Sequence, residues 1–258
     1  MTAPTTYVQR DQPEGVPPLA LTGERTLPDV PQENYWFRRH LVVYEWIATL
    51  VRGLEVIDMA CGEGYGSDVL ARSAGRVVGV DANPEAHEHA RLRYRRPNLR
   101  FERDLVSTFA EPADAIVFLQ TIEHMEEPRA VLQHLRSLAG PSGTVFVSTP
   151  NVLTLAPKGA SRSGNPWHLH EYRRDEFEQL CRSSFARAEL YGLFHAHKLR
   201  VHELALRLGW DRVHPRLGLT QRFYDRFTPA IATSDFALRA APAPALDRAL
   251  DFIAVCRS

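Results

Sequence analysis

The chain predicts an α/β fold, an open and mostly parallel doubly wound sheet with helices on both faces. Three observations carry this expectation. Strand-like apolar runs alternate with helical patterns five times between Val56 and Asn151, a rhythm that calls for crossover connections and a parallel sheet. A glycine-rich turn follows the first run, and an aspartate closes the second. Sheets of this kind bind ligands at the carboxyl ends of their strands, where such residues would lie. With 258 residues, 44% of them hydrophobic, the chain can bury one large core and still carry additions.

The elements follow in order. Residues up to about Pro31 are rich in Pro and Thr and lack periodicity, which predicts a partly flexible arm over residues 1–34. A helix from Glu33 opens the main domain, residues 35–258, with Tyr35, Trp36 and Phe37 as packing aromatics. Val56, Ile57 and Met59 form a buried strand. Gly62, Gly64 and Gly66 follow, leaving backbone bare for a ligand, and Ser67 or Asp68 is suited to cap the next helix. The second strand starts at Arg76 and ends in Asp81, with Pro84 in the first turn of a helix. The third, Leu99 to Arg103, leads into Asp104, and Asp114 to Leu119 is the fourth. Pro128 to Leu138 is amphipathic, with Val131, Leu135 and Leu138 on one face. After the turn Gly140 to Gly143, Thr144 to Ser148 is the fifth strand.

Beyond it the pattern loosens. Asn151 to Pro166 reads as a loop, Tyr172 to Cys181 as a helix and Phe185 to Phe194 as the sixth strand. The last strand waits until Asp251 to Cys256, leaving an insertion over about 195–250. Helices are expected at His195 to Leu208 and Thr220 to Phe227, and Ala240 to Leu246 reads as a linker. Insertions at this edge commonly wall a substrate site.

The string DMACGEGYG, from Asp58, resembles the first motif of class I S-adenosylmethionine (SAM)-dependent methyltransferases, with Ala60 where that motif has its first glycine. Asp81, Asp104, QTIEHMEEP from Gln120 and STPN from Ser148 are similar to the later motifs of that superfamily, in the same order. The resemblance implies a Rossmann-like sheet of seven strands with an antiparallel last strand, and a lid made by the N-terminal helix and the segment before it. SAM is the implied cofactor, held by Asp58, Ala60, Gly62, Gly64, Asp81, Ala82, Asp104, Leu105 and Gln120. Asp81 suits both hydroxyls of a ribose, a device that dehydrogenases share. Glu24, Arg25, Arg38 and His40 are the polar residues of the lid region that could reach cofactor or acceptor.

Methyl transfer to an alcohol needs a base or a metal ion, because the hydroxyl holds its proton tightly. Glu123, His124 and His168 are the candidate catalytic groups. The spacing Q-T-I-E-H with a later histidine resembles the metal sites of small-RNA 2′-O-methyltransferases and of ubiquinone-biosynthesis O-methyltransferases. That resemblance makes Gln120, Glu123, His124, His168 and His170 candidate ligands for Mg²⁺ or Mn²⁺. Trp167 is placed to stack on a sugar face. The strings TGERTLPDVPQENYWFRRH and NPWHLHEY resemble bacterial methyltransferases of glycans and polysaccharides.

The expected activity is therefore O-methylation of a saccharide or other polyol. A metal-independent N- or C-methyltransferase of a small metabolite is the alternative, and a SAM-binding scaffold without catalysis is a third reading. Equal acidic and basic counts and a pI near 7.2 argue against broad nucleic-acid binding. Cys61, Cys181 and Cys256 lack paired spacing, which suits a cytoplasmic, reducing setting. No run reaches membrane-spanning length. The acceptor is a small molecule or glycan, and the sequence leaves the oligomeric state open, a homodimer included.

Overall fold

The computed structural model describes residues 5–7, 13–21, 25–157 and 159–258. Glu24, one of the lid candidates, lies outside these residues. Two short antiparallel strands, β1 (Thr5–Tyr7) and β2 (Leu19–Leu21), precede the domain. Leu19, Leu27 and Val30 bury a small satellite cluster there. Helix α1 (Asn34–Leu50) then leads into β3 (Glu55–Met59), α2 (Tyr65–Leu70), β4 (Arg76–Val80), α3 (Pro84–Arg93) and β5 (Leu99–Glu102). β6 (Ala115–Leu119), α4 (Pro128–Ala139) and β7 (Thr144–Pro150) complete the parallel half of the sheet. The loop after β7 holds one helical turn, α5 (Val152–Leu155), before α6 (Arg174–Ser184) and β8 (Arg187–His195).

The insertion comprises α7 (His197–Arg207), α8 (Trp210–Arg216), α9 (Thr220–Phe227), β9 (Phe236–Ala240) and the short α10 (Ala243–Leu246). β10 (Asp251–Arg257) ends the fold. The seven expected strands are joined by an eighth, β9, which pairs antiparallel with the outer edge of β8. The stretch read as a linker at Ala240 to Leu246 instead finishes β9 and forms α10.

The sheet order is β5-β4-β3-β6-β7-β10-β8-β9. The first five are parallel, and β10 runs antiparallel to both β7 and β8. The chain steps outward from β3 through β4 to β5 and then returns to the other side of β3 with β6. The crevice at that reversal, outside the carboxyl ends of β3, β4 and β6, is where open α/β sheets take their ligands.

Every residue of β6 is buried, as a parallel strand covered on both faces requires. Alternate side chains feed two cores. Ala115 and Val117 join Tyr44 and Ile47 of α1, while Ile116 and Phe118 join Leu132 and Leu135 of α4 and Phe177 of α6. Ser67 does not cap α2, whose N-terminal flank is Gly64 at φ +95°; it turns inward instead, to Asp58.

One buried ion pair fixes α1 over the sheet. Arg39 donates from Nε to Asp251 Oδ2 at 2.7 Å and from Nη2 to Oδ1 at 2.6 Å, and Nη2 also reaches the Leu250 carbonyl at 2.7 Å. The two side chains are 4% and 1% exposed. Removing one partner strands the other charge away from water, which costs about 3–5 kcal/mol, whereas apolar replacement of both is often close to neutral. Arg39→Met should therefore lower stability by about that amount in denaturant titrations. Adding Asp251→Leu should recover a large part of it; a double variant no more stable than the single one would show that the pair is not coupled in this way.

Candidate active site

A cavity of about 920 Å³ opens at the switch point of the sheet. The ends of β3, β4 and β6 form its floor, and α1 forms one wall. One end of its lining includes Ala60, Gly62, Asp81, Ala82, Asp104 and Leu105. Its far side includes Gln120, Glu123, His124 and His168. Arg25 and Thr26, from the segment before α1, line it as well.

The glycine loop is shaped from below. Gly66 packs directly under the Tyr44 ring, where an added Cβ would lie 2.2 Å away. Tyr44 donates to Asp58 Oδ1 at 3.1 Å, and Ser67 donates to Oδ2 at 2.6 Å. Asp58 is fully buried, and burial pushes its pKa up to about 7 against the pull of those two bonds. Asp58 and Gly64 thus lie behind the cavity wall rather than on it. Gly64 backs onto Ala90 and Phe101.

Asp81 sits one residue past β4 and turns both oxygens to backbone. Oδ2 accepts from Gly62 N–H at 2.8 Å and Oδ1 from Asn83 N–H at 2.9 Å. These bonds fix the carboxylate at the cavity edge and leave each oxygen a further lone pair. Asp104 accepts from Leu105 N–H at 2.7 Å, and with the Thr108 hydroxyl beside it its pKa is held below the usual range. Leu105 presents a 55% exposed side chain next to it.

The opposite end is built by the turn after β6 and the loop after α5. Gln120 adopts φ +50°, an unusual value for a side-chain-bearing residue, and is tied to Ser148 by its backbone N–H and by Nε2 at 3.0 Å. Glu123 is 2% exposed and accepts from Thr149 Oγ1 at 3.0 Å, while burial pushes its pKa up to about 8. His124 Nδ1 lies 2.8 Å from the Trp167 carbonyl. A carbonyl only accepts, so Nδ1 carries the proton and a neutral His124 keeps the Nε2 lone pair.

His168 packs edge-on to His124 with ring centroids 5.1 Å apart, and burial lowers its pKa. One donor atom each from Glu123, His124 and His168 lies within 4.8 Å of the others. Of the two later histidines, the structure brings His168 into this group. His170 turns away to stack on Tyr172 and gives only its backbone N–H to the Glu123 carbonyl, at 3.0 Å. Trp167 is 49% exposed and lies outside the cavity lining, so its backbone, not its ring, serves the site.

Helix α1 turns one face to the cavity, with Glu33, Trp36, His40, Val43 and Tyr44 at helical spacing. Burial holds His40 down to about 4, against the nearby Asp251 carboxylate, so its ring is neutral at physiological pH. Of the other lid candidates, Arg25 lines the cavity, while Arg38 bonds Asn34 Oδ1 at 3.1 Å and is not part of the lining.

Sequence reasoning missed Glu63. Its buried carboxylate accepts from Tyr94 Oη at 2.8 Å and lies 3.1 Å from His89 Nε2, while His89 Nδ1 lies 2.7 Å from the Pro17 carbonyl. This network clamps the glycine loop to α3 and to the arm. The only local hint was an acid inside a glycine turn; its partners lie 26 to 31 residues away.

Residues 34–204 match the family described as a methyltransferase domain. The chain is 34% identical over 245 residues to a probable S-adenosylmethionine-dependent methyltransferase of Mycolicibacterium smegmatis, covering 92% of this chain and 94% of that one. It is 34% identical over 158 residues to a ubiquinone biosynthesis O-methyltransferase of Albidiferax ferrireducens, 54% of this chain and 63% of the relative. Among solved structures, a SAM-dependent methyltransferase of Thermotoga maritima, a possible histamine N-methyltransferase, superposes with a TM-score of 0.58 at 13% identity, covering 88% of this chain and 94% of that one. At that identity the likeness speaks to fold alone.

The buried Asp58 gives stability a pH dependence of definite sign. The folded protein holds a proton that the unfolded chain releases above about pH 4, the ordinary aspartate range. Stability falls as pH rises from about 4 to about 7 and then levels off. Asp58→Asn keeps the shape without the charge. It should already be the more stable form at pH 5, and its advantage over the parent should grow by roughly 2–3 kcal/mol between pH 5 and pH 8. A constant difference across that range in thermal melts would contradict this account.

Proposed function

Because the chain belongs to the SAM-dependent methyltransferases, we propose that it methylates a hydroxyl of a saccharide or related polyol, assisted by a divalent cation. The observation that carries this reading is the convergence of Glu123, His124 and His168 at the cavity end facing the cofactor side. One glutamate, which would give up its proton to a bound ion, and two imidazoles suit Mn²⁺ or Zn²⁺ better than the oxygen-seeking Mg²⁺.

The donor chemistry fits such an ion. Glu123 is dry and oriented by Thr149. His124 is held in the tautomer that leaves Nε2 for coordination. His168 is disfavoured as a cation by burial. Gln120 commits its amide nitrogen to Ser148, so its carbonyl oxygen is the atom it would offer. A bound ion would supply Lewis acidity, lowering the pKa of a coordinated hydroxyl.

SAM would bring the electrophilic methyl group and its own leaving group. The chain's part is to position. Asp81 would receive the ribose hydroxyls, Asp104 and Leu105 the adenine, and the open backbone of Gly62 the remainder of the cofactor. Glu33, Trp36 and His40 would wall the acceptor opposite Glu123, and neutral His40 would accept hydrogen bonds from hydroxyls. The methyltransferase expected to act on amines or carbon would have no use for the Glu123–His124–His168 group. The name of the Albidiferax ferrireducens relative supports an oxygen acceptor, and the three buried, free cysteines support a reducing compartment.

Titration with Mn²⁺, followed by its paramagnetic resonance signal, tests the ion. The parent should bind, and Glu123→Ala or His168→Ala should weaken binding by more than the roughly 10–100-fold that loss of a supporting group costs. Asp81→Asn should leave Mn²⁺ binding intact and weaken S-adenosylhomocysteine binding by about tenfold or more. Parent protein that binds S-adenosylhomocysteine and no Mn²⁺ would move the reading to metal-free transfer, with amines and carbon acids as acceptors. Methylation of panels of free and linked sugars then decides the acceptor class.

A further inference from the structure

The insertion carries an outward face that its own packing does not use. Of the twelve exposed large hydrophobic side chains among the described residues, six lie between Val201 and Leu219. On α7, Val201, Leu204 and Leu208 are 69%, 55% and 80% exposed. Their spacing of three and four residues puts them in one stripe. The helix packs through its other side, where Leu199 is buried and His202 meets Phe227 with ring centroids 4.7 Å apart and Tyr224 Oη at 3.1 Å. Val213, Leu217 and Leu219 continue the exposed apolar run through α8 and the turn after it.

Cations border this stripe. Arg200 lies one turn before Leu204, and Arg207 lies one turn after it. Residues 197–228 hold seven basic side chains against three acidic ones, a net +4 in a chain whose formal total is zero. Arg200, Arg212, Arg216, Arg222 and Arg226 form no ion pair among the described residues. Unpaired arginines beside exposed leucines match a surface that offers phosphate above and hydrocarbon beneath. A second copy of the chain fits poorly, because a two-fold contact through this face would set +4 against +4. Nucleic acid would use the arginines and leave the leucines in water.

We propose that α7 and α8 form a peripheral docking surface for an anionic lipid bilayer, with Val201, Leu204 and Leu208 entering the headgroup boundary and Arg200 and Arg212 meeting lipid phosphates. The surface belongs to the same anchored unit as the cavity wall. Asn34 Nδ2, at the start of α1, donates to the carbonyls of Thr228 at 2.8 Å and Ile231 at 2.9 Å, and Tyr35 Oη lies 2.9 Å from His195 Nε2. Docking therefore restrains the wall that faces the acceptor. This inference stands on the insertion alone and needs neither the cation nor the sugar of the proposed reaction.

Flotation of the full chain with vesicles tests it. Phosphatidylcholine vesicles containing phosphatidylglycerol should carry the protein upward, pure phosphatidylcholine vesicles should not, and added salt should weaken the effect. Leu204→Asp and Leu208→Asp should each lower partitioning by about tenfold or more. Arg200→Glu with Arg212→Glu should abolish the preference for anionic lipid. The melting shift produced by S-adenosylhomocysteine should be the same in every variant, which separates loss of docking from loss of fold. Parent protein that stays off anionic vesicles overturns the proposal. So does a parent dimer in light scattering that Leu204→Asp converts to monomer, since the stripe would then be an interface between copies.

Discussion

The buried pair of Arg39 and Asp251 is the constraint on which the site depends. Arg39 belongs to the first helix of the domain, and Asp251 is the first residue of the last strand. β10 runs against its neighbours, so its first residue lies at the edge where the parallel strands end, opposite Pro150 of β7. The ion pair therefore fastens α1 across the open edge of the sheet. Everything on the cavity face of α1, from Trp36 to Tyr44, is positioned by that attachment. Two charges sealed from water must stay together, and this turns a contact between distant segments into a fixed distance.

Tyr44 extends the same control to the glycine loop. Its ring fills the space that Gly66 leaves empty, and its hydroxyl reaches Asp58 under the glycine loop. The loop is held from the other side by Glu63, Tyr94 and His89. The backbone is bent hard where strands enter the cavity. Ala60 at φ +60° and Gln120 at φ +50° follow β3 and β6, each in a conformation costing about 1–2 kcal/mol for a residue with a Cβ. Such strain persists because the strands and loops on either side leave the chain no other route.

The two ends of the cavity differ in electrostatic character. Asp104 accepts from the Thr108 hydroxyl and the Leu105 N–H, which favour its charged carboxylate. Glu123, by contrast, is dry, and the Thr149 hydroxyl does not offset its loss of water. His168 and His40 are likewise pressed toward their neutral forms by burial. One end of the cavity thus favours a charged acid, and the other favours neutral donor atoms.

The sequence by itself determined the elements and much of the site. Short continuous apolar runs and amphipathic runs with period 3.6 are local signals, and β3 to β7 lie within a few residues of where those signals put them. Asp81, Asp104, Glu123 and His124 reach the cavity because each lies in the first residues after a strand whose end was legible, one residue past β4, two past β5, and four and five past β6. Only the tertiary structure decided the rest. His168 and His170 are two residues apart, and nothing local tells which ring meets His124; packing of the loop against Tyr172 settles it. Asp58 looks like a ligand group in the motif, yet Tyr44 and Ser67 enclose it. β9 has too short and mixed a pattern to be read, and it forms because β8 offers a free edge. On α7 both faces are apolar, so periodicity could not say whether Leu199 or Leu204 would be covered. Partner choice across 160 or 212 residues, as in Tyr35 with His195 and Arg39 with Asp251, depends on distances that exist only once the sheet has closed around them.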